Sequence, residues 1–381
     1  MNARNLISKV AQTTGVTQGA ILLAVQIILF VAVFCLIGQP ALAKHKGHKK
    51  GPQNCTKMSN YAYTARLSEI TDDYFIAVGK CYNLPPDEDI KDCIKDAMAE
   101  KKDALGEAKD QRDARLDLCD QVGEDPYNPL LDPDPDDFVD PADIGGSVAA
   151  NPYWPLVPGH RWIYKTRDVS NTVIETNIVE VLDPDVYSVT IEGLPCAVVH
   201  DTVYEGDQTT DPPDAAALKE DTYDWYAQQK DDGTVWYMGE FSLAKEECDG
   251  ELCEGLWADD GSWQAGFDGG KPGVIMFGDP SAVKDGKVYR QELYLGEAED
   301  AAQKIGVGPP IQVTVPMGGG TNYATDVLKN YEFSVLEPGA GENKYYAPGV
   351  GLLVEQALED GEPTGEVNEL VSTGALSPAL P

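Results

Sequence analysis

"WYAQQKDDGTVWYMGE", from Trp225 to Glu240, decides the fold class of this chain. An aromatic pair stands on either side of Asp231-Asp232-Gly233, and Asp-Gly between alternating residues signals a hairpin turn. With Asp232-Gly233 as the turn, Lys230 faces Val235, Gln229 faces Trp236 and Ala227 faces Met238. One face then carries Trp225, Ala227, Gln229, Trp236 and Met238. The other carries Tyr226, Gln228, Lys230, Val235 and Tyr237. Each strand sends a tryptophan inward and a tyrosine outward, and the aspartates sit at the tip because turns favour them. On this reading the doubled aromatics are a packing motif, and the tryptophan face is either sealed core or the floor of a pocket.

The same period of two runs on through "TVIETNIVEVL", "YSVTIEGLPCAVVHDTVYE", "KVYRQELYL", "NKYYAPGV" and "GLLVEQAL", punctuated by Gly, Pro, Asn and Asp. One brief helix is expected around "GEAEDAAQKIG" (Gly296–Gly306). No strand–helix alternation, P-loop or G-x-G-x-x-G appears. Residues 151–372 therefore read as a mainly antiparallel β domain, an open curved sheet or half-barrel, with a disordered tail at 373–381.

The chain begins differently. Arg4 and Lys9 precede the apolar run Ala20–Gly38, and "ALA" at Ala41–Ala43 offers a cleavage site. This order predicts a secretory signal peptide over 1–43, and Gly38 and Pro40 favour cleavage over a retained anchor. No membrane span is expected after cleavage. The block "KHKGHKKG" (Lys44–Gly51) reads as a solvated basic linker, 44–53, rather than a copper or zinc site built on His45 and His48. The formal net charge is −35, and none of the acidic residues falls in 1–43. Such a charge repels nucleic acid and anionic lipid headgroups.

Cys55 and Cys81 are separated by the same interval as Cys93 and Cys119, with Pro85-Pro86 between the pairs. Two antiparallel helices over 54–122 put Cys55 opposite Cys119 and Cys81 opposite Cys93. At about 1.5 Å per residue the ends lie roughly 39 Å apart, so crossed pairings are impossible if both helices form. The faces Cys55, Met58, Ala62, Ala65, Ile76 and Ala97, Ala104, Ala108, Leu116, Cys119 are rich in small residues, so disulfides compensate for a thin core. A zinc site made of these four cysteines is disfavoured because zinc ligands normally come in close pairs. Cys248 and Cys253 read as a small loop disulfide, and Cys196 as a buried apolar residue on a strand.

Residues 123–150 read as an acidic, Pro-rich spacer. Within them Asp132, Asp134, Asp136, Asp140 and Asp143 fit positions 1, 3, 5, 9 and 12 of a calcium loop, although Asp137 replaces the turn glycine. Calcium is the single cofactor that this pattern suggests.

"NPYWPLVPGHRWIY", "DWYAQQKDDGTVWYMGE", "GGKPGVIMFGDP", "YRQELYLGEAED" and "KYYAPGVGLLVE", with the cysteine hairpin leading into "LCDQVGEDPYNP", resemble the recurring blocks of a family of uncharacterised secreted bacterial proteins. The resemblance implies export and a β-rich fold, such as the curved sheets of periplasmic lipid carriers, and brings no activity with it.

A catalytic constellation is hard to assemble. His160 and His200 are too few for a three-His zinc site, and no G-x-S-x-G is present. Glu297, Glu299 and Asp300 could serve a glycan hydrolase beside Trp154, Trp162, Trp225, Trp236, Trp257 or Trp263. A solvated helix N-terminus explains the same acids. The expectation is an exported non-enzymatic protein holding a small apolar or amphipathic ligand or a protein partner. A glycan-acting hydrolase and calcium-dependent assembly are the alternatives.

Overall fold

The computed structural model describes residues 53–85, 88–130, 133–248, 251–308, 313–315, 321–323 and 326–375. The expected signal peptide and nearly all of the basic linker lie outside them. Two antiparallel helices come first, α1 (Asn54–Cys81) and α2 (Ile90–Val122). Disulfides Cys55–Cys119 and Cys81–Cys93 staple their two ends in the nested arrangement that the spacing predicts. Such bonds persist in oxidising compartments and point to an extracytoplasmic location. Asp89 caps α2 by accepting from the Lys91 amide at 2.8 Å. The Glu124 carboxylate accepts from the Thr56 amide at the start of α1, where the helix dipole favours an anion.

The α1 seam differs from the expected face. It runs through Cys55, Ser59, Ile70 and Cys81, while Ile76 is 55% exposed. The disulfides fix the rotation of the helix, and Ser59 tolerates burial because its hydroxyl donates to the Cys55 carbonyl at 2.9 Å. Among the described residues no helix is long and apolar enough to cross a membrane.

The remainder is β. Its strands are β1 (His160–Arg167), β2 (Val173–Val181), β3 (Val189–Ile191), β4 (Leu194–Glu205), β5 (Leu218–Gln228) and β6 (Val235–Cys248). They continue as β7 (Glu251–Asp259), β8 (Trp263–Gln264), β9 (Lys271–Met276), β10 (Val288–Arg290), β11 (Glu292–Leu293) and β12 (Asp300–Val307). The last are β13 (Val313–Val315), β14 (Thr321–Tyr323), β15 (Leu328–Ser334), β16 (Ala340–Ala347), β17 (Gly351–Glu359) and β18 (Glu362–Ala375). All but β13 and β14 join one antiparallel sheet, ordered β10-β12-β15-β16-β17-β18-β1-β2-β4-β5-β6-β9-β11. The two ends of that order are one continuous stretch, 288–293. It pairs with β12 through Val288–Arg290 and with β9 through Glu292–Leu293, so the sheet curls into a nearly closed barrel. Closure needs a small residue at the seam. A Cβ on Gly273 would lie 2.3 Å from the Gln291 carbonyl carbon, so only glycine permits this approach.

The hairpin Trp225–Glu240 forms with a longer turn than Asp232-Gly233 alone. Gln228 pairs with Val235, Ala227 with Trp236 and Tyr226 with Tyr237. The Gln229 amide closes the loop on the Thr234 carbonyl at 2.8 Å. Relative to the expected register the strands slip by two residues, which keeps the same residues together on each face. The cause lies outside the hairpin: the Val139 and Lys230 amides donate to the Gln228 and Asp137 carbonyls, making 137–139 a partner of the turn.

That pairing also alters the reading of 123–150. Its aspartates are largely exposed as a spacer requires, but Phe138, Val139 and Ile144 are buried in the barrel's core cluster. The segment is packed cladding over its second half. Two further boundaries move. Residues 300–307 form β12 and not a helix, because pairing with β10 and β15 buries Ala301 and Ala302 completely and overrides their helix propensity. Strand β18 extends past 372, with Thr373 opposite Trp162 and its hydroxyl 2.8 Å from His160 Nε2.

The hairpin base docks on the barrel seam. Leu118, Ala114 and Val122 pack on Val288, Ala301, Phe333 and Val335. Arg115 and Glu299, 3% and 0% exposed, form a bidentate pair with contacts of 2.6–3.0 Å.

Candidate functional site

Curling the sheet gives it an inside, and that inside is polar. Glu220, Thr222, Asp224 and Tyr226 alternate along β5 and line a cavity of about 300 Å³. They are joined by Asn177 and Val179 from β2, Asp201 from β4, Trp162 and Tyr164 from β1, Lys344 from β16, Glu355 from β17 and Asn368 from β18. Trp154, from the segment before β1, packs edge-on to Tyr226 with centroids 5.5 Å apart. On β6 the lining residues are Tyr237 and Glu240, three apart. Strict alternation cannot place both on one face. Gly239, at φ +135°, breaks it, since a Cβ there would lie 2.4 Å from the Trp263 carbonyl oxygen.

The tyrosines of the hairpin are therefore not outward-facing. Tyr226 and Tyr237 stack at 5.0 Å inside the barrel, 6% and 8% exposed. Trp236 and Met238 pack on the other side of the sheet, in the core cluster that also holds Phe138, Val139 and Ile144. Both faces are buried, one by the curl of the sheet and the other by the segment packed outside it.

The cavity has two electrostatic halves. In one, Lys344 Nζ meets Glu355 at 2.8 Å, Glu342 at 3.1 Å and Glu332 at 3.5 Å. Burial alone would lower the Lys344 pKa, but these carboxylates outweigh it and hold the pKa well above its usual value. Burial likewise pushes Glu355 up, and Lys344 reverses that to a net lowering. In the other half stand Asp201, Glu220, Asp224 and Glu240 with no lysine or arginine bonded to any of them among the described residues. Asp224 accepts from the Tyr237 hydroxyl at 2.6 Å, Asp201 from Asn177 Nδ2 at 2.7 Å, and Glu220 from the Thr222 hydroxyl at 2.8 Å. Burial raises all four. Asp224 is pushed up to about 7, the Tyr237 hydrogen bond opposing the rise, and Glu240 up to about 10, with the Asp224 charge adding to burial. Asn177 Oδ1 is buried without a hydrogen-bond partner among the described residues.

A pH signature follows. Asp224 titrates near 7 when folded and near its ordinary value, roughly 4, when unfolded. Between those values the folded chain holds the extra proton, so stability is full below about 4 and is lost as pH rises to about 7. Asp224→Asn is expected to remove that loss, up to about 3 kcal/mol between pH 5 and 8. Urea unfolding at the two pH values measures it, and an unchanged pH dependence in the variant would contradict the assignment.

The residues singled out from sequence lie elsewhere. Glu299 serves the Arg115 pair and is closed to any substrate. Burial raises Glu297, and Glu69 and Arg66 of α1 also act on its charge. His160 packs at a tilt against Trp162, and His200 pairs with Asp221 at 2.7 Å. Cys196 is buried, its thiol pushed up to about 12 by burial, in keeping with a small core residue. Trp154 and Trp162 line the cavity, whereas Trp257 and Trp225 do not.

Of the calcium frame, Asp132 lies outside the described residues. Asp134 and Asp140 each accept from the amide two residues on, and Asp143 from the Ser147 hydroxyl. Among the described residues no group of three or more acidic, His or Cys side chains is arranged to hold a metal. The side chains of Cys248 and Cys253 lie outside the described residues; the β6 and β7 backbones pair beside them, Cys248 opposite Glu251.

No family model and no curated protein matches this chain. Among solved structures, one described as an exported protein with a YmcC-like fold from Bacteroides fragilis aligns with 10% identity and a TM-score of 0.33. A protein described as a lipoprotein from Parabacteroides distasonis aligns with 10% identity and a TM-score of 0.29. Each alignment covers 59% of this chain and 100% of the other. At such scores the likeness carries no argument about function.

Proposed function

We propose that this is an extracytoplasmic, non-enzymatic binding protein whose barrel interior takes a small organic cation, an amine carried on an apolar or aromatic body. One observation carries the reading: in a cavity of about 300 Å³, four carboxyl groups with no lysine or arginine bonded to them among the described residues stand with the rings of Trp154, Tyr226 and Tyr237. Rings attract a cation through their faces, and carboxylates in a low-dielectric enclosure attract it further. The raised Asp224 and Glu240 make uptake compete with protons, so affinity rises with pH across the Asp224 titration near 7.

Calorimetry at pH 8 with phenethylamine, phenethyl alcohol and phenylpropionate tests this. The amine should bind at least ten-fold tighter than the other two, and Asp224→Asn with Glu240→Gln should abolish the difference. Equal binding of alcohol and amine would remove the reading. Glycan hydrolysis also uses paired carboxyl groups, and these stand with Trp154 and Trp162, so turnover on a glycoside panel by the folded chain would replace binding with catalysis.

A further inference from the structure

A second concavity lies outside the barrel, where the hairpin base meets the seam. It holds about 680 Å³, within the usual range of small-molecule sites. Its walls are largely apolar: Met58 and Val122 from the helices, Pro126 and Tyr127 from the segment after them, Phe277 and Leu293 from the barrel. Buried at its edge is Arg290, only 3% exposed. Its Nη1 is buried with no hydrogen-bond partner among the described residues. Its Nη2 lies 3.8 Å from Cys55 Sγ, and its guanidinium carbon 5.7 Å from the Tyr127 ring centroid.

The carboxylate that acts on Arg290 is already committed. Glu299 gives both oxygens to Arg115, so two buried guanidinium groups share one negative charge. A buried cation without an anion of its own is costly in an apolar setting. Lys271 and Lys287 also line the concavity, with Asp125 opposing them, in a chain whose net charge is −35. The surroundings complete a cation only if an anion comes from outside, and an apolar wall beside it accepts an apolar body.

We infer that this groove binds an amphiphile with a carboxylate head on an apolar chain, the head accepting from the Arg290 guanidinium and the chain lying along Met58, Val122, Phe277 and Leu293. The guanidinium is suited to a carboxylate, which it can bond through two parallel N–H groups. The site is independent of the barrel interior and takes the opposite charge.

The test uses the full chain with both disulfides formed and three probes of equal chain length below their micelle concentrations: decanoate, decanol and decyltrimethylammonium. Decanoate should bind at least ten-fold tighter than the other two. Arg290→Met should cost decanoate ten-fold or more and leave decanol unchanged. Should that variant fail to fold, Val274→Trp, which fills the groove and keeps Arg290, should exclude decanoate equally. Decanol binding as tightly as decanoate, decanoate affinity unchanged in folded Arg290→Met, or no decanoate binding at all would each overturn the inference. Asp224→Asn with Glu240→Gln leaves decanoate binding intact, so a failure here and a failure of the barrel-interior reading are told apart.

Discussion

Replacing Arg115 with methionine is expected to cost about 3–5 kcal/mol of unfolding free energy, the usual penalty for stranding one partner of a buried ion pair. Glu299 is fully buried and accepts from Arg115 Nε and Nη2, and from the Gly296 amide at 2.8 Å. Without the guanidinium its charge has no solvent to turn to. The double variant Arg115→Met with Glu299→Leu should recover only part of that loss: burying two apolar groups is often neutral relative to burying a matched pair, but Arg290 then loses the carboxylate that acts on it. Urea unfolding followed by tryptophan fluorescence separates the cases. A single variant within about 1 kcal/mol of the parent would show that the pair does not anchor the hairpin.

Loss of the basal disulfide should be comparably severe. Cys55–Cys119 spans 64 residues and Cys81–Cys93 only 12. In the chain-entropy account the first contributes about 4 kcal/mol and the second about 3. The inner crosslink shortens the outer loop only modestly, so the ranking survives in the doubly bridged chain. The outer bond also sits where α1 and α2 meet the seam, beside Arg290. Paired Cys→Ala variants at each bridge, compared by thermal unfolding, are expected to show the larger loss at Cys55–Cys119. The reverse order would mean that the bridges act mainly through local helix packing.

These two expectations rest on features of unequal visibility in the sequence. The hairpin was legible because equal cysteine intervals around Pro85-Pro86 admit one nested geometry. The docking pair was not, since nothing local marks Arg115 and Glu299, 184 positions apart, as partners. Strand faces in Trp225–Glu240 came out correctly because a slip of two preserves alternation. Which face is inside did not, because that depends on whether the sheet closes. In "LKEDTYDWYAQ" polar groups occupy both faces, Glu220, Thr222 and Asp224 on one and Lys219, Asp221 and Tyr223 on the other. Period two shows the two sets, and only the curl of the whole sheet shows which set encloses space. Residues 300–307 failed for the opposite reason: strong local helix formers were outweighed by two neighbouring strands.

The seam has a consequence in time. The helices that clamp it end at Val122, and the strands they clamp include Val288–Arg290 and Asp300–Val307. In a chain that leaves its site of synthesis N-terminus first, the hairpin has all its own residues before the seam exists. Local contacts form quickly and distant ones slowly. The hairpin thus comes first as a local template, and the last pairing of the barrel closes onto a surface made at the beginning.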